Sequence, residues 1–233
     1  MIINCFWEHN GNDTLLYATN FAGAYARGES IDEAVAKMPA EVASYARWCG
    51  CKAPDEIKIV IAEEKASELN ISDADSDAIF DCELAPLTKE RYESLKILAL
   101  KSAEDFFALY DSIPNKGVPF APERKTFYGT APRTAEEMYT HTKNVNAYYF
   151  SEIGVDADND GDIYRCRKRG FELLEAKEGF LQNLAVDGSY GEQWSVAKML
   201  RRFIWHDRIH GRAMYRMAVK HFGRENIKNP FFF

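Results

Sequence analysis

Histidine is scarce in this chain. There are five in 233 residues, His9, His141, His206, His210 and His221, so where they stand carries information. Long hydrophobic runs are missing as well. No stretch approaches the roughly 18 apolar residues of a membrane span, which argues against a membrane partner. The opening MIINCFWEHNGND has no basic stretch leading into an apolar one, so no signal peptide is expected and the expected location is cytoplasmic. Cysteine is sparse and irregular. Cys5, Cys49, Cys51, Cys82 and Cys166 are odd in number and scattered, with no disulfide or zinc framework, and Cys49-x-Cys51 is tighter than the usual C-x-x-C pair. Reduced thiols are the expectation. An excess of positive charge is also lacking. Lys and Arg total 29 against 36 Asp and Glu, and the net charge of −7 argues against a nucleic-acid partner. What is present, 46% hydrophobic and 28% charged residues, is the material of an ordinary globular protein with a sizeable core.

The pattern changes near residue 85. Before it, IINCFWE (2–8) and TLLYATN (14–20) read as strands around the turn from His9 to Asp13, which includes Asn12. Ser30, with Glu33 three residues on, starts a helix that Pro39 is expected to kink or split. The β-branched run 57–62 is a third strand, and AIFDC (78–82) a fourth. After Pro86 the periodicity is helical. Thr88 caps a helix that stops at Pro114, and Thr134 opens another that ends at Gly154. A third is expected over 162–184 and a fourth over 194–222. The Pro/Gly-rich stretch 114–132 between the first two is long enough to cover a site. The expected fold class is therefore a small α+β domain (1–85) followed by an all-α antiparallel four-helix bundle (86–233).

His206 and His210 are four apart and share one helical face with Met199, Phe203, Ala213, Met214 and Met217. His141 shares a stripe with Met138, Val145 and Tyr148. All three should point inward, where an imidazole must have its nitrogens satisfied. One common solution is ligation of a single divalent ion, and imidazole suits zinc, nickel, copper or iron, with zinc or nickel the first expectation. The plain alternative is three separate core histidines bonded to Tyr, Asp or backbone groups. His206-Asp207-Arg208-Ile209-His210 also reads as one methylene short of the zinc-protease H-E-x-x-H. The long form of that motif wants a histidine where Arg216 stands, and His221 is eleven residues past His210, roughly 16 Å along a helix. His141 is the better third ligand.

The segment GEQWSVAKMLRRFIWHDRIHGRAM, together with His141, resembles the DinB/YfiT-like superfamily over about residues 88–225. The resemblance implies a four-helix bundle with His141, His206 and His210 as metal ligands, and relatives that include thiol-dependent S-transferases and isomerases. ATNFAGAYARGESIDEAVAKMPAEV is similar to the small HicB-like fold, with Gly28, Ser30, Glu33 and Ala34 carrying the match. No DNA-binding segment follows it, so this likeness implies a fold and not a toxin–antitoxin role.

Two weaker patterns complete the reading. Asp156-x-Asp158-x-Asp160-Gly161-Asp162-Ile163 starts like a calcium loop, but Arg167 stands where the bidentate Glu belongs; the expectation is an acidic loop whose Asp162 caps a helix. Arg208, Arg212, Arg216 and Lys220 recur every four residues. They are expected to pair with Glu172, Glu175 and Glu178, with an anionic substrate as the alternative. The functional expectation is a metal-dependent enzyme acting on a small molecule, of thiol S-transferase or hydrolase type. The expected partner is a small-molecule substrate, with a low-molecular-weight thiol as its candidate class, and a homodimer stays open. Asp207 is a candidate to orient a ligand or act as base, and Tyr148, Tyr149 and Trp205 are candidate pocket walls. The other hypothesis is a non-catalytic binding or regulatory module with a structural or sensory metal site.

Overall fold

The computed structural model describes residues 1–11, 13–73, 75–126 and 129–233, so Asn12 of the expected turn lies outside the described residues. The chain divides into two compact units, Met1–Ala85 with Phe232, and Pro86–Phe231 with Phe233.

In the first unit β1 (Ile2–His9), β2 (Thr14–Ala18), β3 (Tyr25–Gly28) and β4 (Lys58–Ala66) form a sheet in the order β3-β2-β1-β4. The β1–β2 and β2–β3 pairs are antiparallel, and β4 runs parallel to β1 after the crossover through α1 (Ile31–Trp48). Ser30 Oγ accepts from the Glu33 N–H at 3.3 Å, and the Glu33 carboxylate accepts from the Glu29 N–H at 2.9 Å, which together anchor the start of α1. Pro39 does not split that helix. The stripe Ala34, Met38, Val42 and Tyr45 is buried along its length and holds both halves to the sheet. The strand expected at 78–82 is not formed. Asp81–Glu83 is a 3₁₀ turn, and the Glu83 carboxylate takes the Phe80 N–H at 3.0 Å that a strand ladder would have used. Phe80 plugs the sheet instead, with its ring 4.6 Å from Phe6 and 5.5 Å from Tyr17.

The second unit holds α2 (Lys89–Ser112), α3 (Ala135–Glu152), α4 (Ile163–Glu175) and α5 (Val196–Phe222), with a short strand pair in the connection between α2 and α3 and another between α4 and α5. β5 (Lys125–Thr126) pairs with β6 (Gly129–Thr130), and β7 (Val186–Asp187) with β8 (Gln193–Trp194). The expectation of an α+β domain followed by an all-α four-helix bundle is thereby corrected: strands are interspersed with helices along the chain. The reason is backbone satisfaction. The stretches 114–132 and 176–195 are rich in the glycine, proline and turn residues that disfavour helix, and in each a short ribbon, a two-residue strand pair, takes up backbone N–H and C=O groups. The helix expected over 162–184 stops at Glu175; beyond it Gly179 and Asn183, at φ 75° and 54°, bracket a separate 3₁₀ turn, Phe180–Gln182. Glu152, at the end of α3, holds the second ribbon by accepting from the Ser189 N–H at 2.7 Å.

Thr88, Thr134, Asp162 and Ser195 each cap the helix that follows by accepting a backbone N–H. α5 packs on α2 and α3, and α4 packs on the same two helices. Over Val196–Arg208 every residue of α5 is buried, so this stretch is enclosed on all sides. Among the described residues no helix is long and apolar enough to cross a membrane.

α4 and α3 approach closely at Gly170. A Cβ built there would lie 2.1 Å from a ring atom of Phe150. Replacing a mid-helix glycine with alanine normally stabilises by up to about 1 kcal/mol. Here overpacking wins, and Gly170→Ala is expected to lower stability by about 1–3 kcal/mol. Urea unfolding of the variant checks this, and an unchanged or raised midpoint would show that Phe150 yields freely.

Candidate metal centre

α5 places His206 and His210 one turn apart toward α3, and α3 presents His141 to them. The ring centroids of His141 lie 5.2 Å from His206 and 4.7 Å from His210, and those of His206 and His210 are 4.3 Å apart. One potential ligand atom from each residue falls within 4.8 Å of the others, and among the described residues no further His, Cys, Asp or Glu joins the group. His206 Nε2 and His210 Nε2 are 3.1 Å apart. Two nitrogens bound tetrahedrally to one ion at 2.0–2.1 Å would stand about 3.3 Å apart, so this pair has ligand spacing.

The alternative of three separately satisfied core histidines fares worse. His141 makes no hydrogen bond to the described residues, and the hydrogen bond of the other two is to each other. His206 Nδ1 is buried without a partner. Imidazoles gathered in this way, with donors and acceptors left over, fit a shared ion better than three independent core positions. Burial keeps them in the form a metal needs. Desolvation lowers the pKa of His141, takes that of His206 well below the ordinary value with His210 and His141 adding to the effect, and pushes that of His210 down to about 3. Neutral imidazoles are the ligating species.

Asp207 is excluded from the role of orienting group or base. One residue round the helix from His206, it faces away from α3. Its carboxylate takes both Arg167 guanidinium nitrogens and the Ser102 hydroxyl (2.5 Å), and Arg167 also donates to the Ala99 carbonyl at 3.0 Å. Asp207, Arg167 and Ser102 are fully buried. This network was missed in the sequence, although a signal for it exists: Arg167 interrupts the apolar stripe Ile163, Cys166, Gly170, Phe171 and Leu174 of α4. The same fact disposes of the calcium reading. The residue at the twelfth loop position is a core arginine, Asp162 caps α4, and Asp158 is paired with Arg169.

Of the expected pocket walls, Tyr149 meets His206 edge to face at 5.9 Å, and Tyr148 packs on Tyr149. Trp205 is buried, and the Arg202 guanidinium lies 5.1 Å from its ring, 5.4 Å from Tyr149 and 5.5 Å from Trp194. The pairing expected for the basic row of α5 is also corrected. Glu175 accepts from Tyr92 and Lys96, and Glu172 faces Lys168. Arg208 is buried over Phe231 and Phe233, and Arg212 lies over Phe233. These arginines face the C-terminal aromatic residues because α4 offers its acids to other cations. Past the triad, on the side of α5 carrying Ala213 and Met217, opens a cleft of about 520 Å³ walled by Phe120 from the 114–132 stretch.

Two outcomes are expected. Arg167→Ala or Asp207→Ala, each stranding a buried charge, should cost about 3–5 kcal/mol in denaturant unfolding, while the double variant Arg167→Met/Asp207→Leu loses less than either. In metal-stripped protein, the folded imidazole of His210 titrates near 3 and the unfolded one near the ordinary 6.5. The unfolded state therefore binds more protons in between, and stability falls as pH drops below about 6.5, by up to about 1.4 kcal/mol per pH unit for each such group. His210→Leu should flatten that slope in stability measured between pH 7 and pH 5; an unchanged slope would show that His210 is not buried neutral.

No family model, curated protein or solved structure matches the chain, so its functional reading rests on the geometry of this site.

Proposed function

We propose that the protein is a metal-dependent enzyme acting on a small molecule, with His141, His206 and His210 holding one divalent transition ion, zinc or nickel. The observation that carries this reading is the convergence of three neutral imidazoles from two helices, with potential ligand atoms within 4.8 Å of one another. Three protein ligands without a fourth leave a coordination position for a small molecule, which is the arrangement of catalytic more than of structural sites. His141 and His210 are only partly buried, which supports access from solvent.

Once bound, such an ion supplies Lewis acidity and lowers the pKa of a water or a thiol at its open position. That chemistry serves a hydrolase or a thiol S-transferase. The chain's own part is to keep the imidazoles neutral by burial, to set their spacing through α3 and α5, and to offer an apolar wall from Phe120 and Met217 for the body of a substrate. Tyr149 keeps the inner side of His206 dry.

Protein purified without a nickel column should carry one transition-metal ion per chain by elemental analysis. EDTA should lower its melting temperature by about 5–10 °C, the shift expected for loss of a ligand present at about 100 times its Kd. His141→Ala, His206→Ala and His210→Ala should each match the stripped parent and not respond to EDTA. His221→Ala should respond like the parent, since it sits about 16 Å along α5 from His210. A parent that is metal-free, takes up neither zinc nor nickel and ignores EDTA would end this reading.

A further inference from the structure

The cleft beside the triad has a different chemistry at its far end. Ala213 and Met217 are three and seven residues beyond His210, on the same face of α5, so the cleft floor continues the triad's own stripe. Pro119, Phe120, Arg216, Lys220 and His221 complete the lining, and among the described residues no acidic one lines it. That is a local reversal of sign in a chain of net charge −7. Arg216 and Lys220 make no ion pair with the described residues, whereas Arg208 and Arg212 lie against aromatic rings. Lys220 and His221 lie in the last turn of α5, where the helix dipole alone favours cations. Arg216 is nearly two turns from that end, and the dipole does not account for it.

We propose that this end of the cleft binds the carboxylate of a small amphipathic molecule, whose apolar body lies on Phe120, Ala213 and Met217. Resting on the functional reading above, the same molecule presents its reacting group at the histidine triad. The helix sets the length of the molecule. Arg216 is six residues past His210 and Lys220 ten, about 9 and 15 Å along the axis. The anion is then separated from the reacting group by a body the size of a short peptide or an aryl-alkyl chain. A monoanionic carboxylate fits better than a phosphate dianion. The cleft lies toward the negative end of the α5 dipole, and the helix N-terminal amides that usually bind phosphate are at the opposite end.

The test uses the whole protein stripped of metal with EDTA, so that a carboxylate has no ion to bind. The probes are 5-phenylvalerate and its uncharged counterpart 5-phenylpentan-1-ol, followed by calorimetry. The acid should bind more tightly than the alcohol. Arg216→Glu/Lys220→Glu should weaken the acid at least about tenfold, the loss of two exposed charge contacts, and leave the alcohol unchanged. Arg216→Gln should fall between. Both side chains are exposed, so these variants should keep the parent's melting temperature. Equal binding of acid and alcohol, no measurable binding of the acid, or indifference to the double variant would overturn the proposal. Displacement of the acid by inorganic phosphate at a lower concentration would overturn it in favour of a phosphate site. Acid binding seen only in zinc-loaded protein and lost in His206→Ala would place the carboxylate on the ion and overturn the subsite. If the triad holds no metal, acid binding to stripped protein is unaffected, so the two readings fail separately.

Discussion

The second unit depends on the buried pair of Arg167 and Asp207. Successive residues of a helix are turned by about 100°, so fixing the direction of one side chain fixes its neighbours. Asp207 is held by two guanidinium nitrogens from α4 and by the Ser102 hydroxyl from α2. α5 is thereby fixed in rotation, with His206 and His210 directed at α3. A well-packed apolar contact in place of the pair would cost less desolvation, but it would hold the rotation of α5 less tightly. The cation–π contact of Arg167 with Phe203, 4.3 Å from guanidinium to ring, ties the same arginine to α5 one turn earlier.

That fixed rotation gives the histidines their character. Because His206 is enclosed, with His210 and His141 beside it and the cations Arg202 and Arg167 adding less, its imidazole is held neutral. His210, a turn further along, has the same push from burial and a smaller one from His141. The three rings are kept close although none can gain by protonation. Such a cluster is costly unless something satisfies the nitrogens that protein groups leave over, and this is the physical ground for the metal reading.

The basic row of α5 shows how one periodicity meets several environments. Arg208, Arg212, Arg216 and Lys220 are equivalent in spacing. Arg208 is enclosed and Arg212 half-buried, both against C-terminal phenylalanines, while Arg216 and Lys220 line an open cleft. The difference lies in what packs opposite each turn: Phe231 and Phe233 beside the first two, Phe120 beside the last two. Phe120 is placed by a backbone bond from its N–H to the Arg133 carbonyl at 2.7 Å, which ties it to the start of α3.

Local chemistry was legible in the sequence by itself. The caps at Ser30, Thr88, Thr134 and Asp162 and the end of the last helix at residue 222 were readable, because a helix end is decided by residues within one turn of it. The inward direction of His141, His206 and His210 was readable from apolar periodicity. The pairing of Lys125–Thr126 with Gly129–Thr130 and of Val186–Asp187 with Gln193–Trp194, the early end of α4 and the turn that replaced a strand at 78–82 were not. Each is chosen by competition for backbone hydrogen bonds among residues whose local preferences are weak. The partners of Asp207 and of the α5 arginines were not readable either. A charged side chain on an inward stripe signals a buried contact, but which residue completes it depends on how α2, α4 and α5 pack, and no single segment contains that information.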